Sequence, residues 1–312
     1  MSAIAAVTGA NGFIGRRLCE RLERAGWEVR SIVRRDFERG AVSDAFRGAA
    51  VVIHAAGATR APTAAELRAS NVELTRRVVD EANRAGVARL MVLSSQAAAG
   101  PAAALDAPVD ELQTPAPIEA YGQSKLDAEQ VVRSTSDVPW TILRPASVYG
   151  PGDRDFLPLF RLAGRGIAIH PANRAHWISI VHVDDLIDAI SGAAASDAAA
   201  GATLFIANDE PAQWSELFKL AARASGRLSA ELAIDIEVPI TLVRAAALVG
   251  DAVARVTGHA GLLTSRKAAL SEPRYWICSN AQAKRTLGFE PKVELRDGFA
   301  DTHRWYREHA WL

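Results

Sequence analysis

Tyr121 and Lys125 stand four residues apart in AYGQSK, and a serine pair, Ser94 and Ser95, precedes them in LSSQ. On a helix, residues i and i+4 share a face, so phenol and ammonium can point into one cavity. The unperturbed phenol titrates near pH ~10, and a positive neighbour favours the phenolate, bringing it toward working pH. Such a group gives a proton to a carbonyl oxygen or takes one from an alcohol. Alone, the spacing also fits a solvated helix face, so its meaning depends on the elements around it.

Those elements begin at the N-terminus. Ala3 to Thr8 is a short β-capable run that opens into GANGFIG, with glycines at 9, 12 and 15. The helix that follows should bury Ile14, Leu18, Leu22 and Ala25, with its arginines facing out. Gly26 ends it and Trp27 to Val33 reads as the next strand. A glycine turn between strand and helix lets the backbone approach a pyrophosphate, and the helix N-terminus supplies free N–H groups and a positive dipole end. At the end of the second strand, Val33, Arg34 and Arg35 stand where a carboxylate would select the ribose hydroxyls of NAD. An arginine there pairs with a 2′-phosphate, so NADP is favoured over NAD.

Residues 36–48 are too few for a full helix and strand, so a third strand is either absent or very short, with Asp44 at its end. Ala49 to His54 resumes as a buried strand, followed by the small residues Ala55, Ala56 and Gly57. Ala64 to Ala85 reads as helix, with Asn71 at its middle, and Leu90 to Leu93 as the strand that delivers the serines. Trp140 to Leu143 is a further strand ending in Arg144 and Pro145. The fold expected is α/β, a doubly wound parallel sheet of Rossmann type with a smaller, discontinuous C-terminal substrate lobe. The dinucleotide domain takes residues 1–151 plus about 180–210, and the lobe about 152–179 and 211–312.

The chain has 312 residues, 49% apolar, with formal net charge zero, which gives no electrostatic argument for nucleic acid or an anionic membrane. Cys19 and Cys278 form no CxxC pair and read as buried small residues. His54, His176 and His182 show no metal-ligand spacing, so no metal is expected. The N-terminus lacks a secretory signature and no run reads as a membrane span, which makes a cytoplasmic protein the expectation.

TGANGFIG, the LSS strand end, YGQSK and RPASVYGPGD, in that order, resemble the extended short-chain dehydrogenase/reductase, or NAD-dependent epimerase/dehydratase, family. The tail, with LLTSRKAAL and YWICSNAQAKRTLGFEP, is similar to its 3β-hydroxysteroid-dehydrogenase-like branch, and SIVRR to dihydroflavonol-reductase-like members. The resemblance implies Ser95 as the holder of the substrate oxygen, Tyr121 as proton donor or acceptor, and Lys125 as the group that lowers the tyrosine pKa and meets the nicotinamide ribose. Family members often place an aromatic residue where this chain has Ala99. The cofactor-binding set expected is Gly9, Asn11, Gly12, Phe13, Ile14, Gly15, Arg34, His54, Ala55, Ala56, Gly57, Asn71, Ser94, Tyr121, Lys125, Pro145, Ala146 and Val148. A homodimer is also implied by the likeness.

Between Pro239 and Val256 the charges at 244, 251 and 255 form one narrow stripe on an otherwise apolar helix, whose remaining surface must be covered by core, partner or apolar ligand. Cations for a nucleotide-diphosphate substrate are few: Arg161, Arg165, Arg174, Arg266 and Lys267. The expected function is therefore NADP(H)-dependent hydride transfer to or from a carbonyl or alcohol carbon of a mainly apolar small molecule. A nucleotide-sugar epimerase or dehydratase with tightly bound NAD is the first alternative. A non-catalytic dinucleotide-binding regulator is the second. Asp184 and Asp185 read as carboxylates at a helix start.

Overall fold

The computed structural model describes residues 2–40, 42–171, 175–227, 234–257 and 271–312. Arg174, Arg266 and Lys267 lie outside the described residues, as does all of LLTSRKAAL. Six parallel strands form the central sheet: β1 (Ile4–Thr8), β2 (Glu28–Ile32), β3 (Val51–His54), β4 (Leu90–Leu93), β5 (Trp140–Pro145) and, after several lobe elements, β10 (Thr203–Ile206). Their order is β10-β5-β4-β3-β1-β2. The chain leaves β1 toward β2 and then returns to β3 on β1's other side, which opens a crevice beyond the C-terminal ends of β1 and β3.

The sheet is covered on both faces, which is why its strands read as continuous apolar runs. One face packs on α1 (Phe13–Arg24) and α8 (Val183–Ala195), with Leu18, Leu22, Leu186 and Ile190 buried against Val7, Ile53 and Leu143. Ala25 instead caps α1 and is exposed. The other face packs on α3 (Val42–Phe46), α5 (Leu74–Ala85) and α6 (Ala120–Thr135). Among the described residues no strand forms between β2 and β3. Arg34–Glu38 (α2) and α3 are two single turns that turn Phe37, Val42 and Phe46 inward, so Asp44 lies in a helix and not at a strand end. Ala64–Arg68 (α4) runs into α5 through a π-helical turn at Ala69–Glu73 that contains Asn71.

Beyond β5 come β6 (Ser147–Tyr149), α7 (Leu157–Gly164), β7 (Ile167–Pro171), β8 (Trp177–Ile178) and β9 (Ile180–His182). After β10 follow β11 (Ala212–Gln213), α9 (Trp214–Ala224), β12 (Ile234–Val238), α10 (Ile240–Thr257) and β13 (Tyr275–Trp276). A separate aromatic core of Tyr149, Phe156, Phe160, Phe218, Phe299 and Tyr306 joins α7 and α9 to the C-terminal helix Leu295–Glu308. At the start of α8 the cap is the His182 imidazole, which accepts the Asp184 N–H. The two carboxylates bind elsewhere: Asp184 to Arg17 of α1 at 2.8 Å, Asp185 to the N–H groups of Lys292 and Val293.

Within the single chain the apolar helix near residue 240 is covered on one narrow face among its described residues. Val243, Ala247 and Gly250 face inward at spacings of four and three, whereas Leu242, Leu248 and Val249 are exposed. Among the described residues no helix is long and apolar enough to cross a membrane. The loop 99–117 is tied down at several points. Ala102 donates to the Tyr275 carbonyl, Val109 to that of Ile277, and Glu111 accepts the N–H of Phe205 on edge strand β10 at 2.9 Å.

Candidate active site

Helix α6 starts on a carboxylate. Glu119 accepts the backbone N–H groups of Tyr121 at 2.8 Å and Gly122 at 2.6 Å, satisfying donors that the helix itself cannot. Gly122 then lies on the short 3₁₀ turn Gln96–Ala98, where an added Cβ would sit 2.2 Å from the carbonyl oxygen of Ala97. Glycine permits this approach, and the approach brings Lys125 against the strand end that carries the serines.

The two serines divide. Ser95, half-buried, caps the 3₁₀ turn by accepting the Ala97 N–H at 3.2 Å. Ser94 is buried, and its hydroxyl donates to the carboxylate of Glu129. Lys125 is buried too, its Nζ donating to the Leu93 carbonyl at 2.6 Å. Burial pushes its ammonium down to about 8, against the nearby charge of Glu129, which raises it. An ammonium poised this way is the neighbour that a proton-exchanging phenol requires.

On the crevice side, the turn after β1 supplies Gly9, Asn11 and Gly12, and the first turn of α1 supplies Phe13, Ile14 and Gly15. Gly12 is the N-cap of α1, and no side chain bonds the first-turn N–H groups there. Gly9 has φ +73°, and a Cβ on it would lie 2.7 Å from the Ala56 nitrogen, so the turn presses directly on the Ala55–Gly57 segment. A helix N-terminus without a side-chain cap, behind a glycine-rich turn, fits a dinucleotide pyrophosphate. Asn71 clamps the same segment, accepting the Ala58 N–H at 2.8 Å and donating to the Ala58 carbonyl at 3.0 Å and Ser124 Oγ at 2.9 Å. Pro145 and Ala146 are buried at the end of β5, and Val148 is half-buried in β6.

Two expected cofactor residues differ in kind from the rest. His54 turns into the sheet: Nδ1 meets Thr8 Oγ1 at 2.7 Å and Nε2 meets Thr75 Oγ1 at 3.0 Å, so both ring nitrogens are engaged by the protein. Arg34 is exposed as the first residue of α2. Asp36, two residues further on, accepts the Val33 N–H at 2.7 Å. Glu119, Glu129 and Arg144 were given no role from the sequence. Glu129 carried one signal, standing four residues beyond Lys125 on the same helix face, but a glutamate at that spacing normally reads as solvated.

The NAD dependent epimerase/dehydratase family matches residues 5–207. The chain is 29% identical to the ceramide reductase of Caulobacter vibrioides, across 99% of this chain and 96% of that protein. It is 26% identical to a 4-hydroxy-2-methyl-3-oxo-4-farnesyl-3,4-dihydroquinoline-1-oxide ketoreductase of Stigmatella aurantiaca, across 94% and 93%. Among solved structures, gox2253 gives a TM-score of 0.78 at 24% identity, covering 99% of each chain. MoeE5 in complex with UDP-glucuronic acid and NAD gives 0.77 at 23%, covering 98% of this chain and 100% of that one.

Proposed function

Because the chain belongs to the NAD dependent epimerase/dehydratase family and is an NAD(P)-dependent oxidoreductase, we propose that it reduces a carbonyl of a mainly apolar small molecule with NADPH, or oxidises the corresponding alcohol. The observation that carries this reading is the docking of α6 through Gly122 on the 3₁₀ turn that Ser95 caps, together with the bond from buried Lys125 to the Leu93 carbonyl at the same strand end.

Ser95 holds the substrate oxygen and Tyr121 delivers its proton to that oxygen. Lys125 keeps the phenol acidic and meets the nicotinamide ribose. The nicotinamide supplies the hydride that the carbonyl carbon gains, so carbon and oxygen together receive the two hydrogen atoms of the alcohol. The glycine turn with Asn11, Phe13 and Ile14, the backbone of Ala55 to Gly57, and Pro145 to Val148 hold the dinucleotide, with Arg34 pairing the 2′-phosphate. Substrate contacts come from the lobe of residues about 152–179 and 211–312 and from the 99–117 rim. An apolar substrate is supported by that rim, where Leu105 and Leu112 are exposed, and by the substrates named for the two relatives, a ceramide and a farnesyl-quinoline.

The test is NADPH oxidation by the purified protein over a panel of long-chain and polycyclic ketones. NADPH should be preferred to NADH, with Arg34→Asp reversing the ratio. Tyr121→Phe should lower kcat by about 10²–10⁴-fold while leaving NADPH binding intact. Equal use of NADH together with an unaltered ratio in Arg34→Asp would refute the cofactor assignment. Tightly retained NAD with turnover of a nucleotide sugar, and no net change in cofactor, would establish the epimerase reading instead.

A further inference from the structure

We propose that Glu129 is a positioning residue of the Tyr121–Lys125 centre. Its carboxylate ties the Ser94 end of β4 to α6 and β5 and supplies the negative charge that holds Lys125 as an inward-pointing cation. This rests on the reading of Tyr121 and Lys125 given above.

Tyr121, Lys125 and Glu129 stand at i, i+4 and i+8 of α6, one stripe along the helix. Glu129 is fully buried and accepts from three residues: Arg144 of β5 through Nε at 2.9 Å and Nη2 at 2.7 Å, Arg133 of α6 at 2.9 Å, and the hydroxyl of Ser94, the residue after β4. Burial alone would raise its carboxyl, but Arg144, Ser94 and Arg133 outweigh burial and hold it below the usual range. The carboxylate is therefore a fixed charge. Lys125 sits one turn away and is anchored on Leu93, the residue before Ser94, so the same strand end carries both bonds.

Stability gives no sufficient reason for this cluster. Replacing a buried ion pair by apolar residues of similar volume is often neutral or stabilising, so a Glu–Arg pair in the core calls for another purpose. Its place on the Tyr–Lys stripe provides one. The other charged or titratable groups facing the cluster do not substitute for Glu129. Arg133 and Arg144 are cationic, and the Glu111 carboxyl is raised by burial despite its own charge contact with Arg144. His54, from β3, is held neutral by burial and by Lys125 itself. Without Glu129, burial acts on the ammonium unopposed, and Lys125 loses its proton at lower pH.

Glu129→Gln alone leaves Arg144 buried without a counter-charge, so the test pairs it with Glu129→Gln/Arg144→Gln, which removes both charges. The chain has five lysines, so ¹⁵N-lysine NMR can follow the Lys125 titration without any substrate. The Lys125 midpoint should fall by about one pH unit or more in the double variant. In carbonyl reduction the alkaline limb of kcat/KM should move down with it, whereas Glu129→Asp should keep the limb in place. A folded double variant whose Lys125 midpoint matches the wild type would overturn the proposal. A wild type that titrates as stated but reduces no carbonyl would overturn the reading of function and leave the role of Glu129 standing.

Discussion

His54 shows how a residue at a strand end beside the crevice can belong wholly to the fold. With both ring nitrogens bonded to threonines, the imidazole is lowered to about 3 by burial and then by the charge of Lys125. The unfolded chain protonates near pH ~6.5, so between that value and about 3 it binds a proton that the folded chain refuses. Stability therefore rises with pH across this window and is lost as pH falls from about 6.5, by up to about 5 kcal/mol. Thermal unfolding between pH 7 and 4 should show the wild type losing stability more steeply than His54→Gln. Parallel curves for the two proteins would contradict this account. The glycine turn before α1 and the helix that carries Tyr121 and Lys125 four residues apart were legible from the sequence. Glu129 was not, because a glutamate on a helix is ordinarily solvated and only the tertiary arrival of Arg144 and Ser94 makes burial tolerable.

At the scale of elements, the contact of α6 with the 3₁₀ turn sets the site, and Gly122 sets the contact. Glycine inside a helix costs about 1 kcal/mol relative to alanine, so Gly122→Ala would stabilise an isolated α6. In the protein the new methyl meets a backbone oxygen at 2.2 Å, and overpacking of about 1–3 kcal/mol wins. We expect Gly122→Ala to lower Tm and to reduce turnover at least tenfold by pushing α6 away from the Gln96–Ala98 turn; a higher Tm would show that the turn yields freely. Elements with a long period were readable: α5, α6 and the apolar strands fall where the pattern puts them. Residues 36–48 were not, since two single turns with Phe37, Val42 and Phe46 inward leave no period to detect. Helix α10 is a different case: its composition calls for cover by core, partner or ligand, and within the single chain Leu242 and Leu248 stand 60% and 67% exposed.

For the whole molecule, the doubly wound parallel sheet followed from alternating strand and helix patterns, whereas its order, β10-β5-β4-β3-β1-β2, comes from the structure, where β2 stands at one edge. The opposite edge is β10, and there the sheet meets the 99–117 rim through one bond, from the Phe205 amide to Glu111. That amide has no further strand to pair with, so its hydrogen is shielded from solvent only while the rim is seated. Hydrogen–deuterium exchange at Phe205 thus records how often the rim lifts. Exchange there should quicken in Glu111→Ala and slow when an apolar ligand occupies the cleft, while amides of the buried strand β4 keep their protection. Matched rates in the variant and the wild type would mean that the amide is shielded by something other than Glu111. The carboxylate that finishes the edge of the sheet would otherwise serve as a latch on the way in, its opening written in deuterium at a single residue.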